Sequence, residues 1–191
     1  SRPASDIINE AKILLKKGAK EIFLLGQNVN AYSSVQNKKS WNLARLIREI
    51  ANLEGVKRLR YMTSHPIDMS DDLIRAHGEV SFLMPYLHLP IQSGDDDILK
   101  RMNRGYNVKL YLDIINKLRI VRDDIAFSSD FIIGFPGETD QAFNNTLKLI
   151  KEVNYAQAYS FKYSRRPGTP GSIMKQQISE EIKDERLSIL Q

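Results

Sequence analysis

The stretch Ser128-Ser-Asp-Phe-Ile-Ile-Gly-Phe-Pro-Gly-Glu-Thr139 decides how this chain folds. Residues 126–133 form a β run with apolar side chains on both faces, which is typical of a parallel strand covered by helices. Gly134-Phe-Pro-Gly137 ends that strand, and Thr139 is placed to cap the next helix. Asp130 is the one charge in the strand, so we expect its carboxylate to face a polar partner or a ligand. A strand, a glycine turn and a helix N-terminus form the unit in which α/β proteins hold ligands, although many such turns hold none.

The composition is that of a globular protein, with 42% apolar and 27% charged residues among 191. We expect no membrane span and no secretory signal, and therefore a cytoplasmic protein. The net charge of +5 permits an anionic partner without requiring one. The chain has no cysteine, which excludes disulfides, thiolate metal sites and a cysteine nucleophile within these residues. Its three scattered histidines do not indicate a metal site.

Strands alternate with helices along the chain, and this order predicts right-handed crossovers and a parallel sheet. Five strands are predicted, at residues 21–25, 57–63, 86–89, 126–133 and 156–163. Residues 33–39 are predicted to be a polar loop. The predicted helix caps are Ser5 or Asp6, Ser40, Ser70, Asn107, Thr139 and Ser179. Asp95, Asp96 and Asp97 are predicted to start a helix, where acidic residues suit the helix macrodipole. A complete barrel of this kind takes about 250 residues, so we expect a partial, open TIM-like barrel in a single domain.

Polar or glycine-containing motifs follow the predicted strands, and all of them would lie on the C-terminal rim of the sheet. Gln92 and Ser93 come just after Pro90, which ends a strand, so their side chains are placed to face a ligand. An arginine such as Arg104 suits a carboxylate or a phosphate, although a solvated surface position is equally compatible with the sequence. His88 is interpreted as a core histidine.

Six blocks of the sequence, in order, resemble the MiaB-type tRNA methylthiotransferases, which are radical S-adenosylmethionine (SAM) enzymes. The blocks are residues 1–3, 24–32, 63–66, 88–94, 128–139 and 159–170. The resemblance implies that the full-length protein adds a methylthio group to C2 of an isopentenylated adenosine beside the tRNA anticodon. The tRNA anticodon loop would be its partner, and we expect a monomer.

The resemblance also implies roles for particular residues. Gly26, Gln27 and Asn28 would meet the amino group of SAM, through backbone carbonyls, because the commoner Gly-Gly-Glu form is absent. Contacts to the methionine carboxylate, the ribose and the adenosine would come from Gln92, Ser93, Arg104, Asp130, Gly134 and Ser164. Contacts to RNA would come from Asn30, His65, Arg165 and Arg166.

The chain departs from this family in one respect. Members hold a [4Fe–4S] cluster on a Cys-x3-Cys-x2-Cys loop, a second cluster in an N-terminal domain, and a C-terminal RNA-binding module. None of these is in the chain, and cluster ligation needs thiolates. We therefore expect residues 1–191 to be the central part of a radical SAM barrel that lacks its first strand, without turnover of its own.

Three other interpretations stay open on the sequence. The first is a ribosomal-protein methylthiotransferase of the same superfamily, although Gly26-Gln-Asn-Val-Asn30 favours the tRNA branch. The second is a phosphate-binding barrel domain without radical chemistry, with its ligand at Gly134-Phe-Pro-Gly137. The third is a binding domain without catalysis.

Overall fold

The computed structural model describes residues 1–36, 38–62 and 64–191. Two sequence predictions extend beyond these ranges, because the polar loop at 33–39 includes Asn37 and the strand at 57–63 ends on Thr63. The chain forms two compact units, one of Ser1–His88 with Asn116–Ala126 and one of Leu89–Ile115 with Phe127–Gln191. None of the described helices is long and apolar enough to cross a membrane.

The elements of the first unit are α1 (Ala4–Lys16), β1 (Glu21–Leu24), β2 (Ser33–Gln36), β3 (Lys39–Asn42), α2 (Leu43–Ala51), β4 (Arg58–Tyr61), α3 (Asp71–Glu79) and β5 (Tyr86–His88). Strands β1 and β4 pair in parallel from Glu21 opposite Arg58 to Leu24 opposite Tyr61. The apolar face of α2 is fully buried, and with Leu59 of β4 it forms the centre of this unit's core. This spacing of apolar residues along α2 was readable in the sequence.

The predicted polar loop is wrong at residues 33–36 and 39, where β2 and β3 pair as antiparallel strands. The predicted cap at Ser40 is wrong for the same reason, since Ser40 lies within β3. The N-cap of α2 lies two residues later, at Asn42, whose Oδ1 accepts a hydrogen bond of 2.8 Å from the amide of Arg45. The predicted caps of α1 are also wrong, because α1 begins at Ala4, directly after Pro3, without a side-chain cap.

The elements of the second unit are α4 (Asp96–Arg101), α5 (Val108–Val121), β6 (Ala126–Ile133), α6 (Asp140–Val153), β7 (Gln157–Lys162), α7 (Pro170–Ile173) and α8 (Glu180–Leu190). Of these, the last residues of α5, from Asn116, and the first residue of β6, Ala126, belong to the first unit. Strand β6 has the predicted bounds and pairs in parallel with β7 from Ser128 opposite Gln157 to Ile133 opposite Lys162. Its alternate residues Phe127, Phe131 and Ile133 are buried. The side-chain caps predicted at Ser70, Asn107, Thr139 and Ser179 are all confirmed. Helix α4 starts among the three aspartates, as predicted, and Asp95 Oδ1 caps it by accepting from the Ile98 amide.

The prediction of an α/β chain with parallel strands is confirmed. The predicted count of five strands is too low, because the described residues contain seven, two of them in the antiparallel hairpin. Each of the five predicted strands is present, with shorter ends at four of them.

Candidate functional site

Gln92 lies beside Asp130 because its backbone is bonded to β6. The Gln92 amide donates to the Asp130 carbonyl at 2.9 Å, and the Gln92 carbonyl accepts from the Ile132 amide at 2.9 Å. One residue earlier, the Ile91 amide donates to the hydroxyl of Ser129 at 3.0 Å, and that serine is fully buried. The sequence pattern gave no role to Ser129, which anchors the segment leading into Gln92. Gln92 and Asp130 are both half-buried at this edge of β6.

Gln92 has an uncommon backbone conformation, with φ at 79°. A residue with a side chain in this left-handed region costs about 1–3 kcal/mol, and such positions cluster at binding sites. The two hydrogen bonds to β6 on either side of Phe131 hold Gln92 in that conformation. The strain at Gln92 is therefore maintained by the strand, and it marks the point where the chain leaves β6.

Arg104 lies between α4 and α5, as predicted, and its side chain is half-buried. Its Nε is buried and has no hydrogen-bond partner in the described residues. The neighbouring Tyr106 donates its hydroxyl to the carbonyl of Ile91 at 3.0 Å, one residue before Gln92. Burial raises the pKa of Tyr106 to about 12, and the positive charge of Arg104 opposes this rise. Arg104 therefore acts electrostatically on the Tyr106 hydroxyl, and that hydroxyl is bonded to the residue before Gln92.

Ser93 and Gly94 form the turn after Gln92. Ser93 is 1% exposed, and its hydroxyl accepts a hydrogen bond of 3.3 Å from the Asp95 amide. A Cβ at position 94 would come within 2.5 Å of the Thr146 Cα in α6. Ser93 therefore shapes the turn through its hydroxyl, and Gly94 allows α6 to pack against it.

The turn after β6 is stabilised by the carboxylate of Glu138, a residue at the end of the same turn. The Gly134 amide donates to Glu138 Oε1 at 2.9 Å, and Arg186 Nη1 donates to the same oxygen at 2.8 Å. Burial raises the pKa of Glu138, although the Gly134 amide and Arg186 act to lower it. The Cα of Gly134 lies against the stem of Lys183, where no Cβ would fit. Because a carboxylate already takes the Gly134 amide, the geometry does not favour the phosphate cradle considered at residues 134–137.

Ser164, Arg165 and Arg166 follow β7 in an exposed segment. Arg165 Nε donates to Gln177 Oε1 at 2.8 Å, and the carbonyl of Arg166 accepts the Thr169 hydroxyl at 2.8 Å. The two guanidinium groups are accessible to solvent, as an RNA contact requires.

In the first unit, the candidate residues Asn30 and His65 are bonded to each other. Asn30 Nδ2 donates to the His65 carbonyl at 2.8 Å, and Asn30 Oδ1 accepts from the His65 amide at 2.9 Å. Asn30 is 8% exposed, so its amide group serves to position the backbone of His65. The His65 ring is half-buried, and its Nδ1 accepts from the Ile67 amide at 3.4 Å.

The loop after β1 exposes Gly26, Gln27 and Asn28. Asn28 Nδ2 donates to the carboxylate of Asp68 at 2.7 Å, which ties this loop to the segment after β4. The same loop lines a cavity of about 520 Å³, whose other walls come from α1, β1 and the start of α2.

His77 is a buried polar residue that the sequence pattern did not identify. It is 0% exposed in α3, and its Nε2 shares a hydrogen bond of 2.7 Å with the Tyr61 hydroxyl. Burial, together with the charge of Arg122, lowers the pKa of His77 to about 4. Two features could have signalled it: a histidine on the apolar face of a helix, and a tyrosine ending an adjacent strand.

The chain is similar to bacterial proteins named tRNA-2-methylthio-N(6)-dimethylallyladenosine synthase. It is 56% identical to the one from Erythrobacter litoralis (strain HTCC2594) over 192 aligned residues. It is 57% identical to those from Bartonella quintana (strain Toulouse) and Rickettsia akari (strain Hartford). All of this chain is aligned in each case, and it spans 42–43% of the relatives' length.

Solved structures share the fold. Coproporphyrinogen III oxidase (HemN) from Escherichia coli superposes with a TM-score of 0.66 over 97% of this chain and 44% of that one, at 16% identity. The cobalamin-dependent SAM radical enzyme OxsB superposes with a TM-score of 0.61 over 97% of this chain and 26% of that one, at 11% identity. The sequence profile of the Radical SAM superfamily matches residues 1–150. Since that match covers more than half of the residues of this chain, the chain belongs to the radical SAM superfamily.

Proposed function

We propose that this chain is the SAM-binding core of a tRNA methylthiotransferase that modifies C2 of an isopentenylated adenosine next to the anticodon. The observation that carries the proposal is the 56–57% identity along the whole chain to relatives named for this product. Because the chain spans 42–43% of those relatives, the activity belongs to a full-length protein. The partner is the tRNA anticodon loop and the compartment is the cytoplasm.

The residues around Gln92 fit the methionine end of SAM. Arg104 has a buried Nε without a partner, and a guanidinium forms charge-assisted hydrogen bonds with a carboxylate. The carboxylate of Asp130 suits hydroxyl donors such as those of a ribose. Gln92, held beside Asp130 by its backbone, adds an amide that can donate and accept. These three side chains bind and orient the ligand in this proposal.

The chain does not fit an iron–sulfur cluster, because it contains no cysteine and clusters are held by thiolates. Cluster ligands therefore come from outside these 191 residues. SAM and a [4Fe–4S] cluster, when bound together in members of this superfamily, supply one-electron chemistry at a carbon–hydrogen bond. The residues of this chain contribute binding and orientation to that reaction.

A direct test uses the full-length protein with reconstituted clusters, SAM and an anticodon stem-loop RNA carrying isopentenyladenosine. Mass spectrometry of the digested RNA should show the methylthio product. A control reaction on the unmodified stem-loop measures the requirement for the isopentenyl group. If the RNA stays unmodified while a ribosomal protein gains the mass of a methylthio group, the alternative within the superfamily is correct.

A further inference from the structure

The second unit contains five arginines, and in the part of the chain that the structure describes most of them have no carboxylate partner. Among the described residues, Arg186 alone is ion-paired, to Glu138 and Asp140. In the first unit, by contrast, most arginines face carboxylates, as Arg48 and Arg58 do. Uncompensated guanidinium groups in one unit indicate a surface prepared for an anionic partner.

Arg101 is held in a defined position by neutral groups. Its Nη1 donates to Gln176 Oε1 at 2.8 Å. Its guanidinium lies against the Cα of Gly137, whose φ is 88°, and a Cβ there would collide with it. Gly137 is therefore needed twice, for its backbone conformation and for the space that Arg101 occupies.

Arg165 is held in the same way by Gln177, the residue that follows Gln176. Its Nε donates to Gln177 Oε1 at 2.8 Å. Gln177 itself is fixed, because its Nε2 donates to the carbonyls of Gly171 and Met174 at 2.9 and 2.8 Å. The Gly137 amide donates to the Gln176 carbonyl at 2.8 Å, which joins this segment to the turn after β6.

We infer that Arg101, Arg165, Arg166 and Lys175 form one phosphate-binding surface, which contacts the RNA backbone. A glutamine carbonyl orients a guanidinium while leaving its charge uncompensated, whereas a carboxylate would neutralise it. Each guanidinium has five N–H donors, so most remain for phosphate oxygens, which arginine binds in a bidentate manner. Arg166 and Lys175 are exposed neighbours of these anchored residues in the sequence and add charge to the same surface. The inference rests on the proposed function, since that function supplies the RNA.

The surface is distinct from the proposed cofactor contacts in its chemistry. Arg104 is half-buried with a buried Nε, which suits a single small carboxylate. Arg165 and Arg166 are exposed, which suits an extended polyanion. Removing a charge from the surface should therefore weaken RNA binding and leave SAM binding unchanged.

The test measures the dissociation constant of the full-length protein for the isopentenylated anticodon stem-loop across a series of salt concentrations. Arg101→Gln, Arg165→Gln and Arg166→Gln should each weaken binding about fivefold to tenfold at 0.1 M salt. Each should also reduce the slope of log K against log salt by about one. Arg101→Lys keeps the charge and loses the Gln176 geometry, so it should retain most of the slope.

Lys151→Gln is the matched control, because Lys151 is exposed on α6 of the same unit and loses the same charge. It should change the salt slope by much less than one. Thermal unfolding of every variant shows whether the fold is intact, and SAM affinity should equal that of the wild type.

The outcomes separate the two proposals. If the wild-type protein binds and modifies the RNA while the arginine variants behave like Lys151→Gln, this surface does not contact RNA and the proposed function stands. If the wild-type protein neither binds nor modifies the RNA, both proposals are wrong. Equal loss of RNA and SAM affinity in the Arg101 and Arg165 variants would place these residues in the cofactor site and also overturn the inference.

Discussion

Arg186 of α8 donates to the carboxylate of Glu138 at 2.8 Å, and the two side chains are only 8% and 1% exposed. The pair joins the last helix to the turn that ends β6. Arg186 also donates to the Glu138 carbonyl at 3.1 Å and to Asp140 at 2.6 Å. One guanidinium therefore links α8 to the glycine turn through three oxygen acceptors.

Arg186→Met should destabilise the protein by about 3–5 kcal/mol, because it leaves the Glu138 carboxylate buried without its partner. Urea denaturation followed by circular dichroism measures the loss. Asp140→Asn is the matched control, since the Asp140 side chain is 95% exposed and such pairs contribute less than about 1 kcal/mol. A cost for Arg186→Met as small as that of the control would show that the pair does not hold the turn.

His77 should make the protein less stable in weak acid. Its pKa is lowered to about 4 in the folded state, below the ordinary value of 6.5, so the unfolded chain binds the proton more readily. Its contribution is fully present above about pH 6.5 and is lost as the pH falls toward 4. Between pH 6.5 and 5 the loss should approach 2 kcal/mol, at about 1.4 kcal/mol per pH unit.

The measurement is the free energy of unfolding of the wild type and of His77→Gln at several pH values. Glutamine does not titrate and can still bond the Tyr61 hydroxyl, so the variant should show a weaker pH dependence in this range. Identical pH profiles for the two proteins would contradict a neutral buried His77.

Arg104→Lys in the full-length protein should weaken SAM binding about tenfold to a hundredfold. Lysine keeps the charge but loses the planar fork, and a lost charge-assisted hydrogen bond costs about 1.5–3 kcal/mol. Affinity for tRNA should barely change, because lysine keeps the positive charge and Arg104 is not part of the proposed RNA-binding surface. Calorimetric titration with SAM and binding of the stem-loop at fixed salt measure the two constants. Normal SAM affinity with lost RNA affinity would move Arg104 to the RNA surface.

Gly94→Ala should destabilise the protein by about 1–3 kcal/mol, the usual cost of overpacking. The new methyl group would lie 2.5 Å from the Thr146 Cα and 2.8 Å from the Asn145 carbonyl, and helix backbone yields less readily than a side chain. Gly26→Ala is the control, since its methyl group would meet only a Val29 methyl, at 3.3 Å. Comparison of the two melting temperatures tests this, and equal values would show that α6 moves freely away from the turn.

Local signals in the sequence predicted much of the fold. The bounds of β6 and the cap at Thr139 follow from residues that are adjacent in the chain. The β2–β3 hairpin was missed because Ser33-Ser-Val-Gln36 is mostly polar and has too few β-branched or aromatic residues to indicate a strand. Strand pairing there depends on contacts with Lys39 to Asn42, which a local pattern does not contain.

Some residues of the candidate site could be predicted from the local sequence, and others could not. Gln92 and Asp130 were readable because each ends or interrupts an apolar run. Arg186 and Glu138 are 48 residues apart, and Arg101 and Gln176 are 75 apart, so neither pair forms a sequence motif. The role of Asn30 was also hidden, because a buried amide that holds a distant backbone looks the same in sequence as one that faces a ligand.

The outer edge of β1 has a consequence for handling the protein. In the described residues β1 pairs only with β4, and Phe23 and Leu25 beside this edge are 40% and 72% exposed. An open strand edge flanked by apolar side chains is a template for pairing with another chain. Residues 1–191 expressed alone should therefore tend to aggregate through edge-to-edge pairing, and a charged substitution such as Leu25→Lys should improve their solubility.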